Sequence, residues 1–287
     1  MIISHSEVEA YQSCPKKHFF AFGLRIERKE HSDALQRGTI GHDLFSFFWE
    51  IFQTNRNLDA CLKAANERAA EIMRQNSLFA EITLQAALLI TNFVEENRQR
   101  ISRWKVLETE KETRVDLDGY TYAFKPDLVV EDQGRIELWD YKFAYDFYYP
   151  DVANLLPQIP RYAGALRASG TNVLAGGYIF LRTRKITDPQ LPKTKLFPLT
   201  MSTKRIVIAL QDFDKIAQEV RIRKLLPLEQ WEDEAVRNAT TVNCKNCSFR
   251  SICVVEANGE DASMVKRTEF RPSTYGYIEA ANGPINP

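Results

Sequence analysis

The sequence carries no excess of charge of either sign: 38 lysines and arginines stand against 38 aspartates and glutamates. That balance excludes a polycationic coat for nucleic acid, so any nucleic-acid surface must be a local basic patch. No apolar run reads as long enough to span a bilayer, and Met1–Ser6 lacks the basic start and apolar stretch of a secretory signal. A soluble, cytoplasmic protein with no membrane partner is expected. There is no repeat of fixed period, which excludes solenoids and propellers, and no phosphate loop of the form GxxxxGK[S/T], so no ATP-driven motor is expected in the chain. Cysteine is scarce, with five in all. In a reducing compartment these thiols stay free, so their spacing reads as metal ligation and not as a disulfide framework.

What is present suits one large domain. The chain has 287 residues with 44% hydrophobic content, and a single domain over residues 1–260 is expected, with a helical insertion at about 55–103 and a poorly anchored tail over 268–287. Apolar residues recur at helical spacing from Leu35 to Phe52, with Leu44, Phe45, Phe48 and Phe52 on one face and Thr39 as a candidate cap. Helices over Leu58–Arg74 and Leu84–Ile101 follow. Beyond Trp104 the period changes to two, and Glu110–Leu117, Tyr120–Val130 and Arg135–Phe143 read as a three-strand antiparallel meander turning at Asp118-Gly119 and Gln133-Gly134. A helix near Gln158–Ala168, a buried strand Leu174–Leu181, an irregular excursion Thr183–Thr203 and a helix Ile206–Leu225 complete an α/β order with a mixed sheet flanked by helices.

The chemistry concentrates at two strand ends. Side chains alternate along a strand, so Ile136, Leu138, Asp140 and Lys142 share one face, while Glu137, Trp139 and Tyr141 share the other, where Glu137 reads as structural. Asp127, after Pro126, lies on the neighbouring strand. Two carboxylates converging from adjacent strands suit a hard divalent cation such as magnesium, which prefers oxygen ligands. A lysine two positions after one of them faces the same phosphate. Charges at the ends of apolar strands are costly unless paired or metal-bound.

Phe124-Lys125-Pro126-Asp127-Leu128-Val129-Val130, a short turn and then Leu138-Trp139-Asp140-Tyr141-Lys142 together resemble the core of the PD-(D/E)XK nucleases, and Arg37-Gly38-Thr39-Ile40-Gly41-His42 resembles the glycine-then-histidine motif of the RecB-like members. The resemblance implies a restriction-endonuclease-like fold. It assigns His42, Asp127, Asp140 and the Tyr141 carbonyl to Mg2+ or Mn2+, and Lys142 to catalysis. Gln158 and Tyr162 match the family's glutamine-x-x-x-tyrosine motif, but Pro160 stands between them. Proline is comfortable only in a helix's first turn, so a helix starting at Pro160 would leave Gln158 outside it and break the shared face.

Cys244, Cys247 and Cys253 form a compact group, with Cys14 far upstream. Four thiolates suit zinc and an iron–sulfur cluster alike. The order of these cysteines around the motifs is similar to that of iron–sulfur nucleases, including the AddB helicase-nuclease subunit and the exonucleases of CRISPR adaptation. That likeness implies a [4Fe-4S] cluster tying the chain ends together. Cys61, among Ala and Leu at helical spacing, reads as core.

Arg182, Arg184, Lys185, Lys193 and Lys195, then Arg221, Arg223 and Lys224, then Lys245 and Arg250, are candidates for guiding a DNA strand by its phosphates. Tyr145, Phe147, Tyr148 and Tyr149 follow the lysine strand, either as a base-stacking surface or as an apolar lid. The expectation is a metal-dependent nuclease on single-stranded or frayed DNA ends in recombination, repair or phage genome processing, with a helicase or single-strand annealing protein as possible partner. The alternative is a non-catalytic iron–sulfur DNA-binding subunit.

Overall fold

The computed structural model describes residues 1–30, 32–185, 188 and 191–273. Ten strands lie among them: β1 (Ile2–Ser4), β2 (Ile26–Arg28), β3 (Lys105–Thr109), β4 (Thr113–Leu117), β5 (Tyr120–Phe124), β6 (Leu128–Asp132), β7 (Arg135–Ala144), β8 (Val173–Arg182), β9 (Thr194–Pro198) and β10 (Phe270–Pro272). The chain divides into two compact units. One takes Met1–His31, Arg114–Phe124 and Gln211–Pro287, and the other takes Ser32–Thr113 and Lys125–Leu210.

The first unit holds a sheet in the order β1-β5-β4, with β1 parallel to β5, and an antiparallel pair of β2 and β10. Its apolar centre is aromatic: Phe19, Phe20, Trp231, Phe249 and Phe270 are all buried. The Glu7 carboxylate sits in this interior with His18 Nε2 at 3.2 Å and Lys224 Nζ at 3.3 Å, so the buried carboxylate is met by an imidazole nitrogen and an ammonium. Pairing with β2 anchors Phe270–Pro272, so the expected loose tail does not begin at Thr268; Thr274–Pro287 lie outside the described residues.

The second unit is built on a five-stranded mixed sheet, order β3-β6-β7-β8-β9, in which only β7 and β8 run parallel. Three long helices, Asp33–Thr54, Leu58–Gln75 and Ala80–Glu96, pack together, and the first and third of them pack against the sheet. The first helix starts earlier than its apolar pattern suggests, because Ser32 caps it by accepting from the Leu35 amide at 3.3 Å, while the Thr39 hydroxyl merely bonds back to the Leu35 carbonyl. Its inner face is aromatic as expected. Phe45 stacks on Tyr141 of β7 at 4.2 Å between ring centroids, and Trp49, Trp104 and Trp139 follow in a line. Each fully buried aromatic contributes about 1.5–3 kcal/mol, so this face fixes the helix against β7.

Four expectations are corrected. The stretch Tyr120–Val130 is not one strand: it breaks at Lys125–Asp127, and β5 and β6 join different sheets, so the expected meander does not form. The excursion Thr183–Thr203 contains β9, which pairs with β8, although Ile186, Thr187, Pro189 and Gln190 lie outside the described residues. The helix expected over Leu84–Ile101 ends at Glu96, and a short turn of helix, Arg98–Ile101, follows. The stretch Ser77–Glu96 is by length and composition apolar enough to cross a membrane. Its Ile82, Ala86, Leu89, Ile90 and Phe93 face the core of the second unit.

Candidate active site

The site forms at the C-terminal end of β7, with all its members in the second unit. Asp127 stands in the break just before β6, not within a strand, and is held there by its own surroundings. Its Oδ2 accepts the Tyr141 amide N–H at 2.7 Å, and its carbonyl accepts from the Thr109 hydroxyl at 3.0 Å and the Glu110 amide at 3.2 Å. His42 comes from the long helix. Its neighbour Gly41 allows the approach: a Cβ there would lie 2.1 Å from the Phe143 ring, whereas nothing lies within 4 Å of one at Gly38.

Glu110 was not expected in this site. His42 Nδ1 lies 2.6 Å from Glu110 Oε1 and 3.7 Å from Asp127 Oδ1, so the three could together hold a metal ion. Glu110 has φ +48°, a left-handed backbone that non-glycine residues seldom adopt and that is tolerated where the surroundings impose it. Its other oxygen takes the Lys125 ammonium at 2.6 Å.

Asp140 and Lys142 reach toward the helix Gln158–Ala168, and the Asp140 charge still acts on both Asp127 and His42. Lys142 Nζ lies 2.6 Å from Asp140 Oδ2 and donates to Gln158 Oε1 at 2.9 Å, while Gln158 Nε2 donates to Asp140 Oδ1 at 2.6 Å and lies 3.5 Å from the Tyr162 hydroxyl. The helix begins at Gln158, which places Pro160 in its first turn where a missing N–H costs nothing. The shared face of Gln158 and Tyr162 therefore holds, contrary to the expectation drawn from Pro160. Tyr141 contributes its amide to Asp127, and its ring lies on the helix side. Glu137, on that same side, is fully buried against Arg100 Nη2 at 2.9 Å and Trp139 Nε1 at 3.1 Å, a structural role.

Crowded carboxylates dominate the electrostatics. Burial lifts the Asp127 carboxyl far above the ordinary carboxylate range, and the Asp140 charge lifts it further, against the pull of His42. Burial alone would depress the His42 imidazole, but Asp127 and Glu110 outweigh it and raise it to about 9. Glu110 is drawn below its usual range despite burial, by His42 and Lys125. Burial also opposes the Lys142 charge, and Asp140 and Asp127 more than restore it. Three carboxylates with this much mutual repulsion fit a divalent cation, which would take the place of bound protons.

The four other candidate cysteines lie in the first unit. The Asn238 amide donates to Cys14 Sγ at 3.4 Å, and the Asn238 and Asn243 side chains both donate to the Ser13 carbonyl, which brings Cys14 beside the segment leading into Cys244. Cys247 and Cys253 border the aromatic cluster. Burial raises the Cys253 thiol, Arg237 opposes the rise, and Cys247 adds to it. No three cysteine sulfurs lie within 4.8 Å of one another among the described residues; a tetrahedral zinc, with Zn–S near 2.3 Å, would need them about 3.8 Å apart. Cys61 is buried in the helical layer, as expected of a core residue.

Much of the expected basic wall is spent on ion pairs. Arg182 and Arg184 both pair with Asp146, at 2.8 and 3.2 Å, Arg223 pairs with Glu234, and Lys224 with Glu7. The aromatic run splits: Phe147 lies under the Arg182 guanidinium at 3.8 Å and Tyr148 packs edge-on to Phe180 at 5.0 Å, whereas Tyr145 is 76% and Tyr149 80% exposed.

No curated protein matches this chain. Among solved structures 21 chains match, and one of them, "Crystal structure of SSO0001", is 15% identical over 65% of this chain and 80% of its own, with a TM-score of 0.32 that adds nothing to the fold already described. The family model of the PD-(D/E)XK nuclease superfamily matches residues 2–254. With the Asp127, Asp140 and Lys142 motif placed at one strand end inside that span, the chain belongs to the PD-(D/E)XK nuclease superfamily.

Proposed function

We propose that this protein is a deoxyribonuclease dependent on Mg2+ or Mn2+ that acts on single-stranded or frayed DNA ends, in recombination, repair or phage genome processing. The observation that carries the reading is the convergence of His42, Glu110 and Asp127 within ligand reach of one another, beside the Asp140–Lys142 pair. His42, Glu110, Asp127 and Asp140 would hold the cation, with the Tyr141 carbonyl beside them. Once bound, the metal supplies charge neutralisation at the scissile phosphate and acidifies a coordinated water. The chain does the rest. Lys142, held by Asp140 and Gln158, presents its ammonium where phosphate charge develops, and Gln158 with Tyr162 fixes that lysine's direction. The Asp127 carboxylate is aimed by the Tyr141 amide, so the ligand needs no reorganisation when substrate arrives.

The cysteine group belongs to the same reading. Cys14, Cys244, Cys247 and Cys253 would hold a [4Fe-4S] cluster, whose sulfurs sit farther apart than those around one zinc, and which joins Cys14 to the far end of the sequence in the first unit. A cytoplasmic setting and a helicase or annealing partner are consistent with it.

The test compares linear single-stranded DNA with a covalently closed circle of the same sequence, in low salt with Mg2+, Mn2+ or chelator. Metal-dependent loss of the linear strand alone is expected. Equal loss of the circle would make the protein an endonuclease, and no loss of either would leave a binding subunit. Iron content of protein purified without air tests the cluster: about four irons per chain are expected, falling in Cys14→Ser and Cys247→Ser but not in Cys61→Ser. Colourless protein holding zinc would overturn it.

A further inference from the structure

Lys125 lies within the Phe124–Val130 run but has no role assigned to it there, yet its ammonium lies 2.6 Å from Glu110 Oε2, while His42 holds the other oxygen at the same distance. The site thus sets three acidic side chains, Glu110, Asp127 and Asp140, against one imidazole, His42, and two ammonium groups, Lys125 and Lys142. A dication that takes Glu110 as a ligand meets the Lys125 ammonium on the same carboxylate and is repelled by it, so the two compete for Glu110. Lys142 is fixed by Asp140 and Gln158 and has a side chain only 26% exposed, whereas that of Lys125 is 51% exposed and can return to water at little cost.

We infer that Lys125 is an ion-pair latch on Glu110 that competes with the divalent metal and sets how much metal the site requires. The inference rests on the reading of His42, Glu110 and Asp127 as a metal site. Lys125 acts through Glu110 and takes no part in the chemistry. Nor is it needed to aim that carboxylate: Glu110 is positioned by its own left-handed backbone at φ +48° and by its amide, which donates to the Asp127 carbonyl at 3.2 Å. Removing the lysine therefore takes away a competitor and leaves the ligand in place. A unit positive charge roughly 6 Å from a dication, even at water's dielectric, is worth on the order of tenfold in affinity.

The experiment is calorimetric titration of Mn2+ into metal-free full-length protein, without DNA. Lys125→Met should bind Mn2+ on the order of tenfold more tightly than wild type. Lys125→Arg should restore the wild-type affinity, since it restores the charge. The rise in melting temperature produced by a fixed Mn2+ concentration should be larger in Lys125→Met than in wild type. If Lys125→Met does not fold, Lys125→Gln carries the same expectation with a side chain that can still donate to Glu110. Unchanged or weaker Mn2+ binding by the folded variant overturns the inference, because a lysine that merely braces Glu110 gives one of those results. Wild-type protein that binds no Mn2+ would instead overturn the metal-site reading, so the two failures are distinguishable.

Discussion

Gly41→Ala should damage the site while leaving every proposed ligand in the sequence. An ideal Cβ at this position meets three atoms of the Phe143 ring, at 2.1, 2.3 and 2.8 Å. Carbon atoms in contact sit about 3.5–4.0 Å apart, so ring or helix must yield by roughly 1.5 Å. Overpacking of this kind costs about 1–3 kcal/mol. The ring cannot swing inward, because Phe143 packs against the helical core, where Phe45 lies at 6.3 Å. What the half-buried Phe143 ring does not absorb by swinging outward passes to the helix, whose next residue is His42. A misplacement of about 1 Å in a reacting group can cost on the order of a hundredfold in rate. Urea unfolding of metal-free Gly41→Ala should show a loss of about 1–3 kcal/mol, and Mn2+ affinity and DNA cleavage should fall more than that stability loss explains. Adding Phe143→Leu should recover both, with a coupling of about 0.5–3 kcal/mol between the two positions. Gly38→Ala, which meets nothing within 4 Å, is the control. A Gly41→Ala protein with unchanged stability, metal affinity and turnover would refute the close-approach argument for this glycine.

Two further outcomes follow from the same geometry. His42 is raised to about 9 in the metal-free site, so its contribution to stability is fully present below its unfolded value near 6.5 and is lost as pH rises through about 9; the raised Asp127 acts with the same sign at lower pH. In chelator the melting temperature should therefore fall from pH 6.5 to 9, part of that fall should vanish in His42→Gln, and saturating Mn2+ should flatten it; a flat profile in chelator would contradict the charge assignment. Tyr145 and Tyr149 are presented outward by a segment that the Asp146 pairs with Arg182 and Arg184 hold in place, so Tyr145→Ala and Tyr149→Ala should each weaken binding of single-stranded DNA by roughly 5- to 150-fold, the value of one stacked base, with no change on an abasic strand of equal length. Equal losses on both strands would make the tyrosines structural.

The legible part of this site was the part that strand parity controls. Asp140 and Lys142 share a face of β7 because side chains alternate, and that needs no knowledge of the partner strands. His42 was legible through the resemblance of Arg37-Gly38-Thr39-Ile40-Gly41-His42 to the glycine-then-histidine motif, just ahead of the aromatic face of its helix. Glu110 was not, because Glu108-Thr109-Glu110-Lys111-Glu112 has the pattern of a solvated charge run, and only the closure of β3 against β6 turns one of its carboxylates inward. Nothing local announces a positive φ at a glutamate. Likewise the period-two pattern of Tyr120–Val130 is the same whichever sheet receives it, and it runs through Pro126 without announcing the break there; which sheet each half joins is set by non-local pairing, β5 with β1 and β6 with β3 and β7. The Thr194–Pro198 strand was hidden among Pro and Lys residues because an edge strand tolerates both.

The most direct test of the central claim is cleavage of end-labelled single-stranded DNA in Mn2+ by wild-type protein, Asp127→Ala and Lys142→Ala, with circular dichroism on the same samples. The wild type should cut only with metal, and both variants, folded, should lose cleavage, Asp127→Ala together with Mn2+ binding and Lys142→Ala with Mn2+ binding retained. Undiminished turnover by folded Lys142→Ala, or by folded Asp127→Ala, would show that the chemistry lies elsewhere than at the end of β7.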